Sequence, residues 1–489
     1  MNLSRVSVVA FVGLLFGIHA CKPLPFVVKD GNTARELLLY NQSIDFLVKE
    51  YNAERDPNLQ LQKAVQIADS YRMFGDYANA EKWYKQAVDL NGNAEAVFQL
   101  AMMQKQQEKY EEAIRNFELN QRMSNGGFEG RKQALQCKEA LEWKKAFTKI
   151  RVQNISNLNS TGSDYLLDAY KDGKYAITSM REDATGTGRD GWTGQKFSDI
   201  YLTDRRDNTF SAPLNFGAPI NTNAHESSPV FTNGEKEMYF IRCGESKAAN
   251  QYCHLFYTAF NNEHWNDPVR VDIFPDTVNV YDPVISKDGK MMIVAADAPG
   301  GQGGTDLYML SKADTGWGTP INLGGTINTP GSERYPWLDE KGNLYFSSNG
   351  WPGMGGLDIF KALKLKVGYK EPVNLRYPIN SGADDFGYRL DKDRPSNDQD
   401  TVLSSGFFTS NRAGGKGGDD IYRYEEKWIN IYVLKGRVVE KLYADTANPD
   451  SKVLGMVPVL KPRVDLKQAN DKVLNGLFSD TAAAKIRPL

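Results

Sequence analysis

The second half of the chain contains a repeat whose copies lie about 55 residues apart. Three glycine-rich stretches, APGGQGGTDLYML, PGMGGLDIFKA and SNRAGGKGGDDIY, align on Asp306, Asp358 and Asp420, which are 52 and 62 residues apart. FSDIYLT at Asp199 and CHLFYTA at His254 continue the series towards the N-terminus, with gaps of 55 and 52 residues. Five copies of this length predict one β-sheet blade each, and so a β-propeller. A sixth blade would need a copy that the sequence does not show.

Two further segments recur with the same spacing. SPVFTNGEKEMYF, DPVISKDGKMMIV and YPWLDEKGNLYFSS each predict two strands around a turn with Gly234, Gly289 or Gly342, since tight hairpins need positive φ. PLNFGAPINTN, PINLGGTINTPG and PVNLRYPINSG run from one blade to the next, and VQNISNLNSTG precedes the first blade. No such module follows Tyr422. We therefore expect strand 152–155 to complete the last blade, which would remove the exposed edges of an open ring.

Seven residues of the glycine-rich loops are predicted to be structural. Each aspartate is expected to accept hydrogen bonds from loop N–H groups, and each glycine to allow the turn. The residues are Asp199, Asp306, Asp358, Asp420, Gly303, Gly355 and Gly417.

The last of these loops also suggests a calcium site. Residues 414–422 fit the nine-residue pattern G-G-x-G-x-D-x-U-x of calcium-binding β-rolls. Asp419 and Asp420 could ligate a hard cation together with loop carbonyls. The corresponding dipeptides at Asp306 and Asp358 contain a single carboxylate. We therefore predict no cofactor and no metal, with structural calcium as the alternative.

A second repeat, with a shorter period, occupies residues 34–150 and is helical in its periodicity. Four residues recur 33 positions later with the same small or aromatic character: Ala68 as Ala101, Tyr77 as Tyr110, Ala80 as Ala113 and Tyr84 as Phe117. Small residues where two helices touch, with aromatic residues between them, resemble the tetratricopeptide repeat (TPR). A plain helical bundle is the alternative. Solenoids of this type leave a concave surface for partner proteins.

Residues 1–20 have the layout of a secretory signal, with a basic start and the apolar run Val6–Ile18. Ile18 to Cys21 resembles the lipobox of bacterial lipoproteins, in which Cys21 would become the acylated N-terminus. An ordinary signal followed by a coincidental cysteine is the alternative. No acidic run follows Cys21 in the linker 21–33. We therefore expect a lipid anchor that holds the protein on the periplasmic side of the outer membrane.

The other cysteines are consistent with export. Cys243 and Cys253 lie ten residues apart, and a loop of that length between two strands can bring them within bridging distance. We predict a disulfide between them, because the periplasm permits oxidation. Cys137 lies on an amphipathic helix and is expected to be a small buried hydrophobic residue.

Charge and motifs exclude several classes of function. The 59 basic and 61 acidic residues balance, so no field favours nucleic acid. No G-x-S-x-G nucleophile elbow is present. The four histidines include one in the signal, too few for a histidine-rich zinc site. The sequence predicts that the chain is not an enzyme, with a propeller hydrolase as the least favoured alternative.

The best blade copy, YPWLDEKGNLYFSSNGWPGMGGLDIF, resembles the WD40-like (PD40) repeats of the TolB family. The order of lipobox, TPR and propeller over residues 18–428 resembles the Bacteroidetes periplasmic lipoproteins typified by PorE of the type IX secretion (gliding) apparatus. The propeller is assigned to residues 151–428. Residues 429–489 resemble the start of the carboxypeptidase-regulatory-like β-sandwich that follows in that family. The OmpA-like domain that comes next in the family is not found in this chain.

The resemblance implies an adaptor that binds an outer-membrane β-barrel of the PorP/SprF type and other secretion or gliding subunits. Peptidoglycan would be a partner only through the missing OmpA-like domain. A peptidoglycan- or glycan-binding envelope module with a TolB-like role is the alternative.

Overall fold

A computed structural model describes residues 28–458 except 172, 245–251, 315, 395–400 and 429–438, and beyond them only 466–467 and 473–474. The predicted signal peptide and Cys21 lie outside the described residues. The chain divides into two compact units, the first ending at Lys427 and the second beginning at Trp428. Within the part of the chain that the structure describes, no helix is both long enough and apolar enough to cross a membrane.

Seven helices make up the N-terminal part of the described chain. They are α1 Gly31–Glu36, α2 Tyr40–Ala53, α3 Pro57–Phe74, α4 Tyr77–Asp89, α5 Ala94–Gln106, α6 Tyr110–Met123 and α7 Phe128–Lys145. Asp56 caps α3 by accepting from two backbone N–H groups, and Pro57 occupies the first helical position, where no N–H is needed. Gly75 ends α3 in the left-handed conformation with φ of 88°. The boundaries of α3 and α4 therefore follow from local sequence.

The repeated small and aromatic residues form the helical core. Ala68, Ala80 and Tyr84 are completely buried and pack together between α3, α4 and α5. Ala101, Ala113 and Phe117 occupy the equivalent positions one repeat later, beside α7. The helical region is thus TPR-like, as predicted, because alanine lets the helices approach while the rings fill the space between them.

Five antiparallel sheets follow the helices and form a five-bladed β-propeller. Blade 1 contains β2 Asp164–Lys171, β3 Lys174–Ser179, β4 Asp199–Arg206 and β6 Leu214–Asn215, and blade 2 contains β7 His225–Thr232, β8 Glu237–Cys243, β9 Cys253–Asn261 and β11 Val269–Arg270. Blade 3 contains β12 Val280–Ile285, β13 Met291–Ala296, β14 Asp306–Ala313 and β16 Ile321–Asn322. Blade 4 contains β17 Glu333–Leu338, β18 Leu344–Ser348, β19 Asp358–Ala362 and β20 Val373–Asn374. Short strands extend three of these blades: β5 Thr209–Phe210, β10 His264–Trp265 and β15 Gly316–Trp317. The prediction of five blades is confirmed.

The last blade is closed by the strand that precedes the first one. Blade 5 contains β21 Asp385–Leu390, β22 Val402–Ser410 and β23 Asp420–Lys427, and its outer strand is β1 Ile150–Asn154. Asn154 pairs with Tyr422 and Ile150 with Glu426. This closure was expected from the module before the first blade, and it leaves blade 5 without an unpaired β23 edge.

Each blade has two ends, which we name by their connections. The turn between its first and second strands marks the hairpin end. The glycine-rich loop between its second and third strands, with the connection to the next blade, marks the loop end.

The second unit is described only in part. Its strands are β24 Val439–Tyr443, paired antiparallel with β25 Val453–Pro458, and β26 Leu466–Lys467, paired with β27 Val473–Leu474. The rest of the predicted β-sandwich over residues 429–489 lies outside the described residues.

Candidate functional site

The first residue of the third strand organises the loop end of each blade. In blade 3 the Asp306 carboxylate accepts from the backbone N–H of Gln302 at 2.5 Å and of Gly303 at 3.2 Å, and from Asn322 Nδ2 at 2.7 Å. In blade 4, Asp358 accepts in the same way from Met354, Gly355 and Asn374. In blade 5, Asp420 accepts from Lys416, Gly417 and Asn154. In blade 1, Asp199 accepts from Thr185 and Asn215. These four aspartates therefore hold the loop to its own blade.

The three glycines have a different role from the predicted one. Gly303, Gly355 and Gly417 do not have positive φ. A Cβ on Gly303 would overlap the carbonyl oxygen of Gly331, and Gly355 and Gly417 lie against Gly382 and Gly162 in the same way. Each glycine thus lets the loop backbone touch the connection that enters the next blade. Positive φ occurs at other glycines of these loops, such as Gly300 and Gly414.

A pair of asparagines in four of the five connections was missed by the sequence analysis. Asn328 accepts from the backbone N–H of Leu307 and donates to its carbonyl, which imitates a strand partner. Asn328 also donates to Asn322, which in turn donates to Asp306. The corresponding pairs are Asn215 with Asn221, Asn374 with Asn380, and Asn154 with Asn159. The signal was present in the quoted modules, where the two asparagines stand five or six residues apart.

Blade 2 replaces this carboxylate by a disulfide. The structure places Cys253, and not His254, at the first position of the third strand, so the sequence alignment at His254 was shifted by one residue. Cys243 and Cys253 are directly opposite in the register and are joined by a disulfide. The equivalent opposite pair is a serine and an aspartate in three other blades: Ser179 with Asp199, Ser348 with Asp358, and Ser410 with Asp420.

We expect Cys243→Ser to lower the free energy of unfolding by about 2–4 kcal/mol, because the covalent link no longer restricts the unfolded chain. The measurement is urea unfolding of both proteins under oxidising and reducing conditions. A reductant should destabilise the natural chain and leave the variant unchanged. Equal stability of the two proteins without reductant would contradict this role.

Asp419 lies next to the loop aspartate of blade 5 and is not a second loop acceptor. Its N–H donates to Ser163 Oγ at 3.2 Å, and its carbonyl accepts from Asp164 in blade 1. Burial raises the pKa of the Asp419 carboxyl to about 7, and the negative charge of Asp384 acts in the same direction.

Since the folded-state pKa of Asp419 lies above that of an unfolded aspartate, the free energy of unfolding falls as the pH rises from about 4 to 7, and the loss is complete just above the folded-state pKa. Between pH 6 and pH 8, we expect the free energy of unfolding of Asp419→Asn to fall by about 1 kcal/mol less than that of the natural chain. Melting temperatures of both proteins across this range are the test. Parallel curves would contradict the raised pKa.

The calcium hypothesis for the last loop is neither supported nor tested by these contacts. The Asp420 oxygens already accept from Lys416, Gly417 and Asn154. Among the described residues, no three His, Cys, Asp or Glu side chains are grouped so as to hold a metal ion. Calorimetric titration with calcium would decide the question.

A serine, a histidine and an aspartate meet under the loop of blade 1. Ser198 Oγ lies 3.2 Å from His225 Nδ1, and His225 Nε2 lies 3.7 Å from Asp190 Oδ2. The backbone N–H of Ser198 also donates to Nδ1 at 3.1 Å, so the single lone pair of that nitrogen is already used. Ser198 is 2% exposed. This arrangement joins the loop to blade 2 and does not activate Ser198 as a nucleophile.

The turns between helices cover part of the loop end. Tyr77 donates to Asp384 at 3.0 Å, and the N–H of Gly382 donates to Glu108 at 3.1 Å. Met354 is completely buried among residues of α5, α6 and α7. Trp192 packs against Tyr40 of α2. The helical region and the propeller therefore form one unit, joined through the edge of the helical stack.

The hairpin end contains a cavity of about 750 Å³ lined by all five blades. Five equivalent residues, which follow a bulge in each innermost strand, surround it: Asp168, Val230, Val284, Trp337 and Arg389. The bulge residues two positions earlier all have positive φ and are Leu166, Ser228, Asp282, Tyr335 and Gly387. A bulge redirects the side chains that follow it. The same feature in every blade thus sets the cavity lining.

Charged and aromatic side chains share the lining of this cavity. Arg389 Nε lies 2.5 Å from Asp168 Oδ1, and this pair joins blade 5 to blade 1. On the opposite side, the Lys312 ammonium lies 4.6 Å from the centre of the Trp317 ring and donates to the Tyr239 hydroxyl at 3.4 Å. The size of the cavity is within the range of small-molecule sites, about 300–1,000 Å³.

The comparison with known protein families supports the helical module of the fold. The family model of the tetratricopeptide repeat matches residues 64–93, which cover most of α3 and α4. No curated protein matches the sequence. A TPR is therefore present in this chain, together with the five-bladed propeller that the sheet topology shows.

Solved structures with a similar fold include enzymes. A glycoside hydrolase has 11% identity and a TM-score of 0.40, and the match covers 60% of this chain and 96% of that one. The endo-arabinase from Bacteroides thetaiotaomicron has 12% identity and a TM-score of 0.37, with 58% and 98% covered. A puromycin-hydrolyzing peptidase from Mycobacterium tuberculosis has 16% identity and a TM-score of 0.29, with 53% and 36% covered, so this chain spans about a third of that peptidase.

The prediction that the chain is not an enzyme is wrong as an exclusion. Glycoside hydrolases and a peptidase are found among the structures with a similar fold, so the fold is compatible with an enzyme. At identities of 10–16% these matches concern the fold alone and carry no argument about chemistry.

Proposed function

We propose that the chain is a scaffold of a protein secretion (type IX) or gliding apparatus, held on the periplasmic side of the outer membrane through Cys21. The TPR and the propeller indicate a protein-interaction module, since both folds present large surfaces built from repeats. The partner proposed from the family resemblance is an outer-membrane β-barrel of the PorP/SprF type, together with other secretion or gliding subunits.

One observation carries the proposal. The helices contact the propeller through inter-helix turns, with Tyr77 on Asp384 and Glu108 on Gly382. A partner could therefore engage the concave face of the helices while the propeller stays in place. A rigid body with two separate surfaces is what an adaptor between subunits needs.

The test is deletion of the gene in its native bacterium, followed by quantification of secreted cargo proteins and of surface gliding. We expect both to be lost and to be restored by the natural chain. A Cys21→Ser chain should be produced but fail to fractionate with the outer membrane and fail to restore secretion. Unchanged secretion and gliding in the deletion strain would contradict the proposal.

A further inference from the structure

The cavity at the hairpin end has a lining that matches no anionic ligand. Its five acidic side chains are Asp168, Glu235, Glu237, Asp288 and Asp393, and its four basic side chains are Lys287, Lys312, Arg389 and Lys392. Several of these charges are already compensated. Asp168 is paired with Arg389, while Lys287 and Lys392 both lie 3.4 Å from Glu340. The lining thus has one more acidic than basic side chain, and Glu340 beside it adds another, so it does not attract a strongly anionic partner.

The lining combines aromatic rings with planar polar groups. Trp317 and Trp337 are partly exposed there, Tyr239 packs against Trp317 with ring centres 6.0 Å apart, and Tyr175 lines the cavity in blade 1. Carboxylate, guanidinium and amide groups share the lining with these rings, including those of Asp168, Glu237, Arg389 and Asn233. Glu237 accepts from Asn233 at 3.2 Å and Thr232 at 3.4 Å and is also hydrogen-bonded to Tyr257, and it forms no ion pair among the described residues.

We propose that this cavity binds a short, uncharged oligosaccharide. A sugar ring has an apolar face of C–H groups, which stacks on indole or phenol rings, and a rim of adjacent hydroxyls. A planar carboxylate accepts from two adjacent hydroxyls at once, and a side-chain amide accepts from one and donates to the other. A cavity of about 750 Å³ holds a few sugar rings.

A peptide is the less suitable occupant. The turns that form the mouth of the cavity, such as Asn233 to Lys236 and Ser286 to Gly289, close on themselves by backbone hydrogen bonds and offer no free strand edge. The small acidic excess of the lining gives an acidic peptide no advantage. Specific binding of a peptide and not of a sugar is therefore an outcome that overturns the proposal.

The sugar site is independent of the helices. Strand β21 begins at Asp385, next to the Gly382 and Asp384 contacts with the helical region, and ends at Leu390, which lines the cavity. The two sites thus lie at opposite ends of the same strand, about 20 Å apart. A chain without any secretion role could bind sugar in this way. A negative result for one proposal therefore does not contradict the other.

The experiment is isothermal titration calorimetry of the full chain with a panel of soluble probes. The panel holds tetra-N-acetylchitotetraose, which represents the peptidoglycan backbone, neutral arabino-, xylo- and manno-oligosaccharides, which represent other polysaccharides, and a library of neutral peptides. We expect at least one oligosaccharide to bind. The oligosaccharide that binds shows whether the natural ligand comes from peptidoglycan or from another polysaccharide. No heat with any oligosaccharide, or binding of peptides alone, would overturn the proposal.

Two variants place the binding in the cavity. Trp317→Ala should weaken binding at least tenfold by removing a stacking surface, and Glu237→Gln should weaken it about tenfold while preserving the size of the side chain. Leu214→Ala, at a side chain 70% exposed outside the cavity, is the control and should bind normally. Melting temperatures of all variants show that they are folded. If Trp317→Ala does not fold, Glu237→Gln alone decides, and unchanged affinity in that variant would contradict the assigned site.

Discussion

Replacement of Gly417 by alanine should destabilise the propeller by about 2–4 kcal/mol, because the new Cβ has no space. It would overlap the carbonyl oxygen of Gly162, in the connection that enters blade 1. Backbone atoms on both sides cannot rotate away as a flexible side chain can. The change therefore forces the loop of blade 5 away from blade 1, where the ring closes.

Gly414→Ala is the matched control in the same loop. Gly414 has φ of 88°, and a Cβ added to it would meet no atom within 4 Å, so alanine there costs only the backbone strain of about 1 kcal/mol. Urea unfolding monitored by tryptophan fluorescence compares the two variants with the natural chain. Equal losses for the two variants would show that close contact between blades is not the reason for glycine at position 417.

Loss of the Asp391 carboxylate should destabilise the chain by about 3–5 kcal/mol. Arg205, at the end of β4 in blade 1, pairs through both Nη atoms with Asp391 after β21 in blade 5, at 2.5 and 2.9 Å. The side chains are 3% and 0% exposed. Asp391→Ala leaves the Arg205 charge buried beside Arg423, whose pKa is lowered by burial and by the charge of Arg205.

The double variant Arg205→Met with Asp391→Leu distinguishes the contribution of the ion pair from the cost of an unpaired buried charge. Apolar side chains of similar volume should recover most of the lost stability, because a buried ion pair stabilises little more than the apolar side chains that replace it. Thermal unfolding of the two single variants and the double variant completes the cycle. A double variant as unstable as Asp391→Ala would mean that the pair itself, and not the unpaired charge, matters.

Repetition made much of the fold predictable. The five blades and the closing strand β1 follow from modules that recur at a fixed period, and the helical packing follows from Ala68, Ala80 and Tyr84 with their copies. Local alignment failed at one point. His254 was matched to the aspartates because a polar residue was sought, whereas Cys253 occupies that strand position and forms a different bond.

The candidate sites could not be predicted, for two physical reasons. The role of Gly417 depends on Gly162, more than 250 residues earlier, so no local pattern contains the contact. Equivalent positions of the five blades line the cavity, but their residues differ, as Asp168, Val230 and Arg389 show. The repeated sequence pattern therefore does not predict the lining. The helical contacts on the loop end likewise have no periodic signal, because they join two repeats of different period.

Crosslinking mass spectrometry on the native cell envelope tests the scaffold role most directly. We expect crosslinks from the helices or the propeller of this chain to an outer-membrane β-barrel protein, with links inside residues 28–427 as the internal reference for folding. Internal links without any link to an outer-membrane protein, in envelopes where the chain is present at its natural level, would contradict the scaffold role.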